Sequence, residues 1–395
     1  MSMKILYVFP YNPANPTFGG ALRIYHILRH LCTHHDVTVV GFSTLEKEQE
    51  LVTEFPSLAG KTHFIPPSGS PLRYRWVMLK SLFSRHSHWN RYSRSEPLQQ
   101  KIDALLERES FDIIHCEFPV MAMYRFRSHA KRVLDCHNVE YDNFLRMSRT
   151  PNLIRKAFYR YEAAKFRREE LDVCRQQDAL FVTSERDISI FDSSLPRVRK
   201  FLVPNGVDRQ YFTPTGIEPV PHSLVFVGMM KYLPNDDGMT FFLDEIFPKV
   251  LQKYPDTTLT IVGKNPSRSI RNRANDQIIV TGFVEDTRPY VDNASVYVVP
   301  LRMGGGTRLK ILEALSMKKP IVTTSIGSEG IDVIDGETAL VADQPDHFAE
   351  AICKLFEDPK QVDQLVSNGS NLADMYRWEA IGDSIEDAYQ SLMKG

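Results

Sequence analysis

The sequence predicts a two-domain α/β protein, each domain a parallel sheet with helical crossovers. Three observations carry this prediction. The chain has 395 residues, more than one hydrophobic core usually serves. Short apolar runs alternate with helical periodicity along most of its length, as repeated βαβ units require. After Val203 the stretch PNGVDRQYFTPTGIEPVPHS is rich in Pro and Gly and lacks periodicity, which reads as a linker.

In the first series Ile5–Phe9 reads as a strand near the middle of its sheet, Ala21–Leu31 as a helix and Val37–Phe42 as the next strand. Ile113–Cys116, Val133–Leu134, Ala179–Val182 and Phe201–Val203 continue the strands, with room for crossover helices between them. The second series has strands at Leu224–Val227, Leu259–Val262, Ile278–Val280, Val296–Val299 and Ile321–Thr323, with helices over Gly238–Tyr254 and Arg308–Met317. Periodicity leaves open whether the last helical pattern, Trp378–Met393, packs on the second domain or returns to the first. The assignment adopted is residues 1–204 with 378–395 for one domain and 205–377 for the other. Two such domains are expected to face each other across a cleft, with ligands at the carboxyl ends of the strands.

Composition narrows the function classes. Hydrophobic residues make up 43% and charged residues 25%, ordinary values for a globular enzyme. Lys plus Arg number 48 against 49 Asp plus Glu, which gives no reason to expect nucleic acid. Cys32, Cys116, Cys136, Cys174 and Cys353 are scattered and never form CxxC, so neither a disulfide framework nor a cysteine zinc site is expected, and a reducing cytoplasm fits. No apolar run reaches spanning length, and the N-terminal one is too short for a signal segment.

Chemistry concentrates where strand Val296–Pro300 runs into Gly304, Gly305, Gly306, Thr307 and the amphipathic RLKILEALS. Glycines let backbone N–H groups converge on an anion, and a helix N-terminus adds unpaired donors. Arg308 and Lys310 are expected in the first turn, where cations are disfavoured unless an anion compensates. Glu313 lies five residues beyond Arg308, about 7.5 Å further along the axis, where its carboxylate suits two ribose hydroxyls; the competing reading is a surface pair with Lys310 at (i, i+3). Asp236–Asp237 read as a helix start rather than a metal site, and no metal is assigned.

These features resemble the donor-binding region of the retaining glycosyltransferases of family four, which have the GT-B fold of two Rossmann-like domains. VPNGVDRQYF (Val203–Phe212), FVGMMKYLPNDDG (Phe226–Gly238), TIVGKNP (Thr260–Pro266) and VTGFVED (Val280–Asp286) resemble that family's phrases in order. The chain departs from the family where Gly305 replaces the first of two glutamates and Met229 replaces an arginine after Gly228. The resemblance implies that Val284 holds the nucleobase through main-chain atoms, with Gly263 and Lys264 beside it. It also implies that the product keeps the donor's anomeric configuration.

On the acceptor side, Gly19 and Gly20 precede a helix carrying Arg23, placed to approach the diphosphate or sugar. The resemblance implies a glycine loop here close to the transferred sugar. DCHNVEYDN (Asp135–Asn143) gathers polar residues at a strand exit. Within it His137 matches a family histidine near sugar and acceptor, suited to a hydroxyl contact or proton transfer, and Glu140 is assigned to orienting the acceptor. His115 and Glu117 rank second. Between Leu72 and Ser95 basic residues surround Trp76, Leu79 and Phe83 at helical spacing with no acid. That stretch is either a helix resting on an anionic membrane or one whose apolar stripe joins the core.

The resulting expectation is a cytoplasmic, metal-independent glycosyltransferase, with the inner membrane face as a peripheral location. It would move a sugar from a nucleoside diphosphate sugar, with no permanently bound cofactor, to a hydroxyl of a glycan or lipid-linked glycan in surface polysaccharide synthesis. The catalytic assignments are His137, Arg308 and Lys310. A nucleotide-sugar epimerase or hydrolase of the same architecture, or a non-catalytic sugar-nucleotide-binding protein, stands as the alternative.

Overall fold

The computed structural model describes residues 2–16, 18–67, 71–148, 152–304 and 307–394, without the side chains of 71–75. The chain divides into two compact units, Met1–Pro204 with Ile381–Gly395, and Asn205–Ala380.

The first unit holds a seven-stranded sheet: β1 (Lys4–Phe9), β2 (Asp36–Phe42), β3 (Thr62–Ile65), β4 (Ile113–Glu117), β5 (Lys131–Cys136), β6 (Ala179–Val182) and β7 (Arg199–Leu202). Its order is β3-β2-β1-β4-β5-β6-β7 and every pairing is parallel. Helices cover both faces of such a sheet, so inner strands read as continuous apolar runs; Ile5 to Phe9 of β1 are all fully buried. Strand order reverses between β1 and β4, and the carboxyl ends there form a topological switch point, where open α/β sheets bind ligands. The helix Gly19–His34 follows β1, and Phe118 follows β4.

The second unit repeats the plan with β8 (Val220–Val227), β9 (Thr258–Val262), β10 (Ile278–Gly282), β11 (Ala294–Val299), β12 (Ile321–Thr323) and β13 (Leu340–Val341). The order is β10-β9-β8-β11-β12-β13, again parallel. The switch point lies between β8 and β11, whose exits are Gly228 and Pro300–Gly304.

Some elements differ from the sequence reading for identifiable reasons. Strand β8 begins at Val220, inside the stretch read as linker, because pairing of Val220 with Ala294 extends it past its apolar half. Strand β3 escapes notice because it is an edge strand, only partly buried along its length. The helix read over Gly238–Tyr254 starts at Leu233, passes through a π-helical turn at Phe242–Ile246 and resumes as Phe247–Lys253; Pro248 has no N–H to donate backward. The basic stretch is broken into helices Pro71–Leu82 and His88–Ser93.

The C-terminal helix Trp378–Lys394 buries Tyr389 in the first unit, with its hydroxyl 2.5 Å from His115 Nδ1. Among the described residues no helix is long and apolar enough to cross a membrane.

Candidate active site

In the second unit the exits of β8 and β11 bring together residues far apart in sequence. Lys310 reaches back from the helix Leu309–Ser316 so that its Nζ donates to Asn235 Oδ1 at 2.9 Å and lies 4.1 Å from the centre of the Phe226 ring. Asn235 is itself held, its Nδ2 donating to Met229 O at 2.9 Å. A Cβ at Gly228 would meet Lys310 Nζ at 2.7 Å and Asn235 Nδ2 at 2.8 Å, so the glycine makes room for the ammonium. Gly263 is required as strictly, since a Cβ there would sit 1.8 Å from Gly228 O.

Arg308 is the residue before the helix rather than part of its first turn. Its Nε donates to Ile326 O at 3.3 Å, and its guanidinium lies over Gly304, where a Cβ would meet Nη2 at 2.9 Å. Gly304 has φ +121, a conformation that favours glycine. Thr307 packs against Gly330, which has φ +83. Gly305 and Gly306 lie outside the described residues.

Glu313 is half-buried, and among the described residues its carboxylate accepts no hydrogen bond and is not ion-paired to Lys310. The surface-pair reading of these two residues therefore does not hold: Lys310 is committed to Asn235. Desolvation lowers Lys310 to about 7, with Arg308 adding to the fall and Glu313 opposing it. Desolvation likewise raises Glu313 to about 7 against the pull of Lys310. Such displaced values are common at functional sites. Lys264 stands 5.7 Å from the ring centre of exposed Phe283, and Val284 is half-buried against the core. Asp237 pairs with Arg302 at 2.7 Å.

In the first unit, Arg23 is completely buried. Its Nε lies 3.0 and 3.1 Å from the Asp135 oxygens, and its Nη atoms donate to Val203 O and Pro204 O at 2.8 and 3.0 Å. One turn beyond Gly19 the side chain points down onto the sheet, so Arg23 is the counter-ion of Asp135 and does not face an acceptor. At the helix start Gly19 is exposed, Phe18 at the cap position makes no side-chain cap hydrogen bond, and the first turn carries no acid. Tyr11 Oη stands where a Cβ of Gly20 would be 2.6 Å away, buried and, among the described residues, without a hydrogen bond.

His137 stacks on Phe118 at 3.9 Å, and its Nε2 is 2.5 Å from Glu117 Oε2. Phe118 takes φ +66, a strained backbone for a bulky residue of the kind found at functional sites. Glu117, fully buried, also accepts a short hydrogen bond from Tyr7 Oη. Desolvation raises Glu117 to about 7 and lowers His137 to about 3, which favours a neutral imidazole, held by Glu117, near pH 7. Glu140 is buried beside Asn138 and raised by desolvation to about 7. The N–H groups of Glu140 and Tyr141 at the start of helix Glu140–Met147 are capped by Glu170 at 3.0 Å each.

Glu117, Asn235 and Tyr11 are the residues that sequence reasoning ranked too low or missed. Only Glu117 carried a signal, as the charged end of an apolar strand.

Residues 221–358 match the family model for glycosyl transferases group 1 and residues 19–211 that for glycosyltransferase family 4, together most of the chain. A Klebsiella pneumoniae protein described as an uncharacterized 44.6 kDa protein in the cps region is 25% identical over 88% of this chain and 90% of its own. Phosphatidyl-myo-inositol mannosyltransferase of Mycobacterium tuberculosis is 25% identical over 48% of this chain, and the match spans 53% of that relative. Among solved structures, sucrose-phosphate synthase from Thermosynechococcus elongatus superposes with TM-score 0.73 at 16% identity, covering 99% of each chain. Anabaena HepE in complex with UDP gives 0.70 at 14% identity, covering 98% of this chain and 100% of its own. With two Rossmann-like sheets and both family models matched in order, the chain belongs to the group 1 glycosyl transferases, family 4, with the GT-B fold.

Proposed function

We propose that this glycosyltransferase takes its sugar from a nucleoside diphosphate sugar and passes it, with retention, to a hydroxyl of a glycan or lipid-linked glycan in surface polysaccharide synthesis. The observation that carries this reading is the seating of Lys310 against Gly228 at the β8/β11 switch point, with Arg308 beside Gly304. Negative charge grows on the diphosphate as the anomeric bond breaks. Lys310, Arg308, the Gly304 to Thr307 backbone and the N-terminus of helix Leu309–Ser316 stabilise that charge in place of a metal. Glu313 takes the ribose hydroxyls, and Gly263, Lys264 and Val284 border the base. UDP is the favoured nucleotide because HepE, a structural neighbour, binds UDP and UDP-glucose.

In the first unit, Gly19 and Gly20 approach the donor sugar, neutral His137 offers Nδ1 to a hydroxyl while Glu117 holds Nε2, and Glu140 orients the acceptor. A lipid-linked acceptor is supported by the mannosyltransferase relatives, whose names specify a phosphatidylinositol substrate. A second support is the exposure of Trp76 at 63%, Phe83 at 95%, Leu153 at 77% and Ile154 at 83%. Tyr161 ties their two segments together through Leu82 O, with Lys80, Arg85, Arg155 and Lys156 nearby in sequence. Such a surface suits an anionic bilayer, with each basic residue near it contributing about 1 kcal/mol.

Thermal shift with UDP-, GDP- and dTDP-glucose tests the donor side. A donor at about 100 times its Kd should stabilise by roughly 2.7 kcal/mol, and Arg308→Ala and Glu313→Ala should each abolish most of that gain. Unchanged donor affinity in both variants would overturn the assignment, and steady epimerised product without acceptor would favour the epimerase. Cosedimentation with anionic vesicles that Phe83→Glu and Ile154→Glu do not reduce would remove the membrane contact.

A further inference from the structure

The helix Gly19–His34 ends in three histidines, His30, His34 and the capping His35, and meets Glu386 of helix Trp378–Lys394. His30 Nε2 stands 3.1 Å from Glu386 Oε1. His34 lies one turn on, and the two imidazoles stack with ring centres 4.4 Å apart, as i, i+4 spacing on one helix face allows. His34 Nδ1 is 2.9 Å from His30 O. A carbonyl only accepts, so Nδ1 carries the proton and Nε2 presents its lone pair.

The carboxylate is oriented in the same way. Met3 N–H donates to His35 Nδ1 at 3.2 Å, which places the His35 proton on Nε2, and Nε2 in turn donates to Glu386 Oε1 at 2.8 Å. Among the described residues Glu386 Oε2 accepts no hydrogen bond, which leaves it for another partner. Gly382 makes the approach possible: a Cβ there would fall 2.2 Å from His30 Nδ1, so only glycine lets the two helices bring His30 to Glu386. One ligand atom from each of His30, His34 and Glu386 lies within 4.8 Å of the others, His34 exposed and the other two half-buried.

We infer that His30, His34 and Glu386 form a binding site for a divalent transition-metal ion of the zinc class, with His35 orienting the carboxylate. Two neutral imidazoles and a carboxylate are a ligand set such ions accept, with water in the remaining position, and a hydrogen bond behind the carboxylate is the outer-shell support such sites use. The ion would clamp the C-terminal helix to the first helix of its unit. This is separate from sugar transfer and does not rest on the proposed donor or acceptor residues.

The test uses the untagged full chain after chelation and dialysis. Titration with Zn²⁺ by calorimetry should give one saturable site and raise the unfolding midpoint, and Co²⁺ should give a visible absorption band of a nitrogen–oxygen site. His34→Ala, at an exposed position that leaves the fold intact, and Glu386→Gln should each weaken Zn²⁺ binding by at least about tenfold and remove the band. His35→Gln should weaken it less. Absence of saturable binding, or the same affinity and midpoint gain in His34→Ala, overturns the assignment.

Discussion

Donor binding should be linked to protons with a sign that changes across neutrality. In the free protein desolvation brings Lys310 down to about 7 and Glu313 up to about 7. An arriving diphosphate favours the ammonium, and ribose hydroxyls favour the carboxylate, so both pKa values move back toward their ordinary ranges on binding. At pH 8 a group with a pKa of about 7 is roughly 0.9 deprotonated, so Lys310 takes up about 0.9 proton while Glu313 is already ionised. At pH 6 Lys310 is already charged and Glu313 releases about 0.9 proton. Near pH 7 the two cancel, so affinity peaks there and falls on either side by up to about tenfold, about 1.4 kcal/mol, per pH unit. Calorimetry with UDP-glucose in buffers of different ionisation enthalpy reads these numbers directly. Both donor phosphates are esterified and stay ionised throughout, so the ligand adds no protons of its own. Lys310→Met should remove the uptake at pH 8 and keep the release at pH 6, and Glu313→Gln should do the reverse. Heats independent of buffer at both pH values would refute the placing of diphosphate and ribose on these two residues.

Arg23→Met should leave Asp135 buried without its counter-ion and cost about 3–5 kcal/mol in urea unfolding; a loss under about 1 kcal/mol would return Arg23 to the list of ligand contacts. Gly228→Ala adds a Cβ 2.7 Å from Lys310 Nζ and should weaken donor binding about tenfold by unseating the ammonium. Unaltered affinity there would show that Lys310 need not occupy its seat. His137→Ala should lower turnover about tenfold or more while donor affinity changes little, because the proposed role has its ring meet hydroxyls rather than phosphate; equal losses in both would move it to the donor side.

The apolar runs made the strands legible: an inner strand of a parallel sheet is buried on both faces, so Ile5–Phe9 and Val296–Val299 declare themselves without any tertiary information. Edge strand Thr62–Ile65 has no such obligation and stays silent. The glycine-rich segment ahead of Leu309 was equally legible as the place where a strand exit meets a helix start. How Arg308 and Lys310 sit there was less so. Spacing put Arg308 and Lys310 together in the first turn, whereas the fold ends the helix short of Arg308 and turns Lys310 toward Asn235, 75 residues away in sequence.

What the sequence by itself determined is therefore the pair of parallel α/β halves, the family, and the positions where glycine and charge meet at strand ends. Only the tertiary structure decided which charges are spent inside. Arg23, in the helix that follows β1, and Glu117, at the end of β4, are both charged residues in apolar surroundings, yet one neutralises Asp135 in the core and the other holds His137. The reason is physical: a buried charge must find its partner through space, and that partner's position is set by sheet order, which local sequence does not encode.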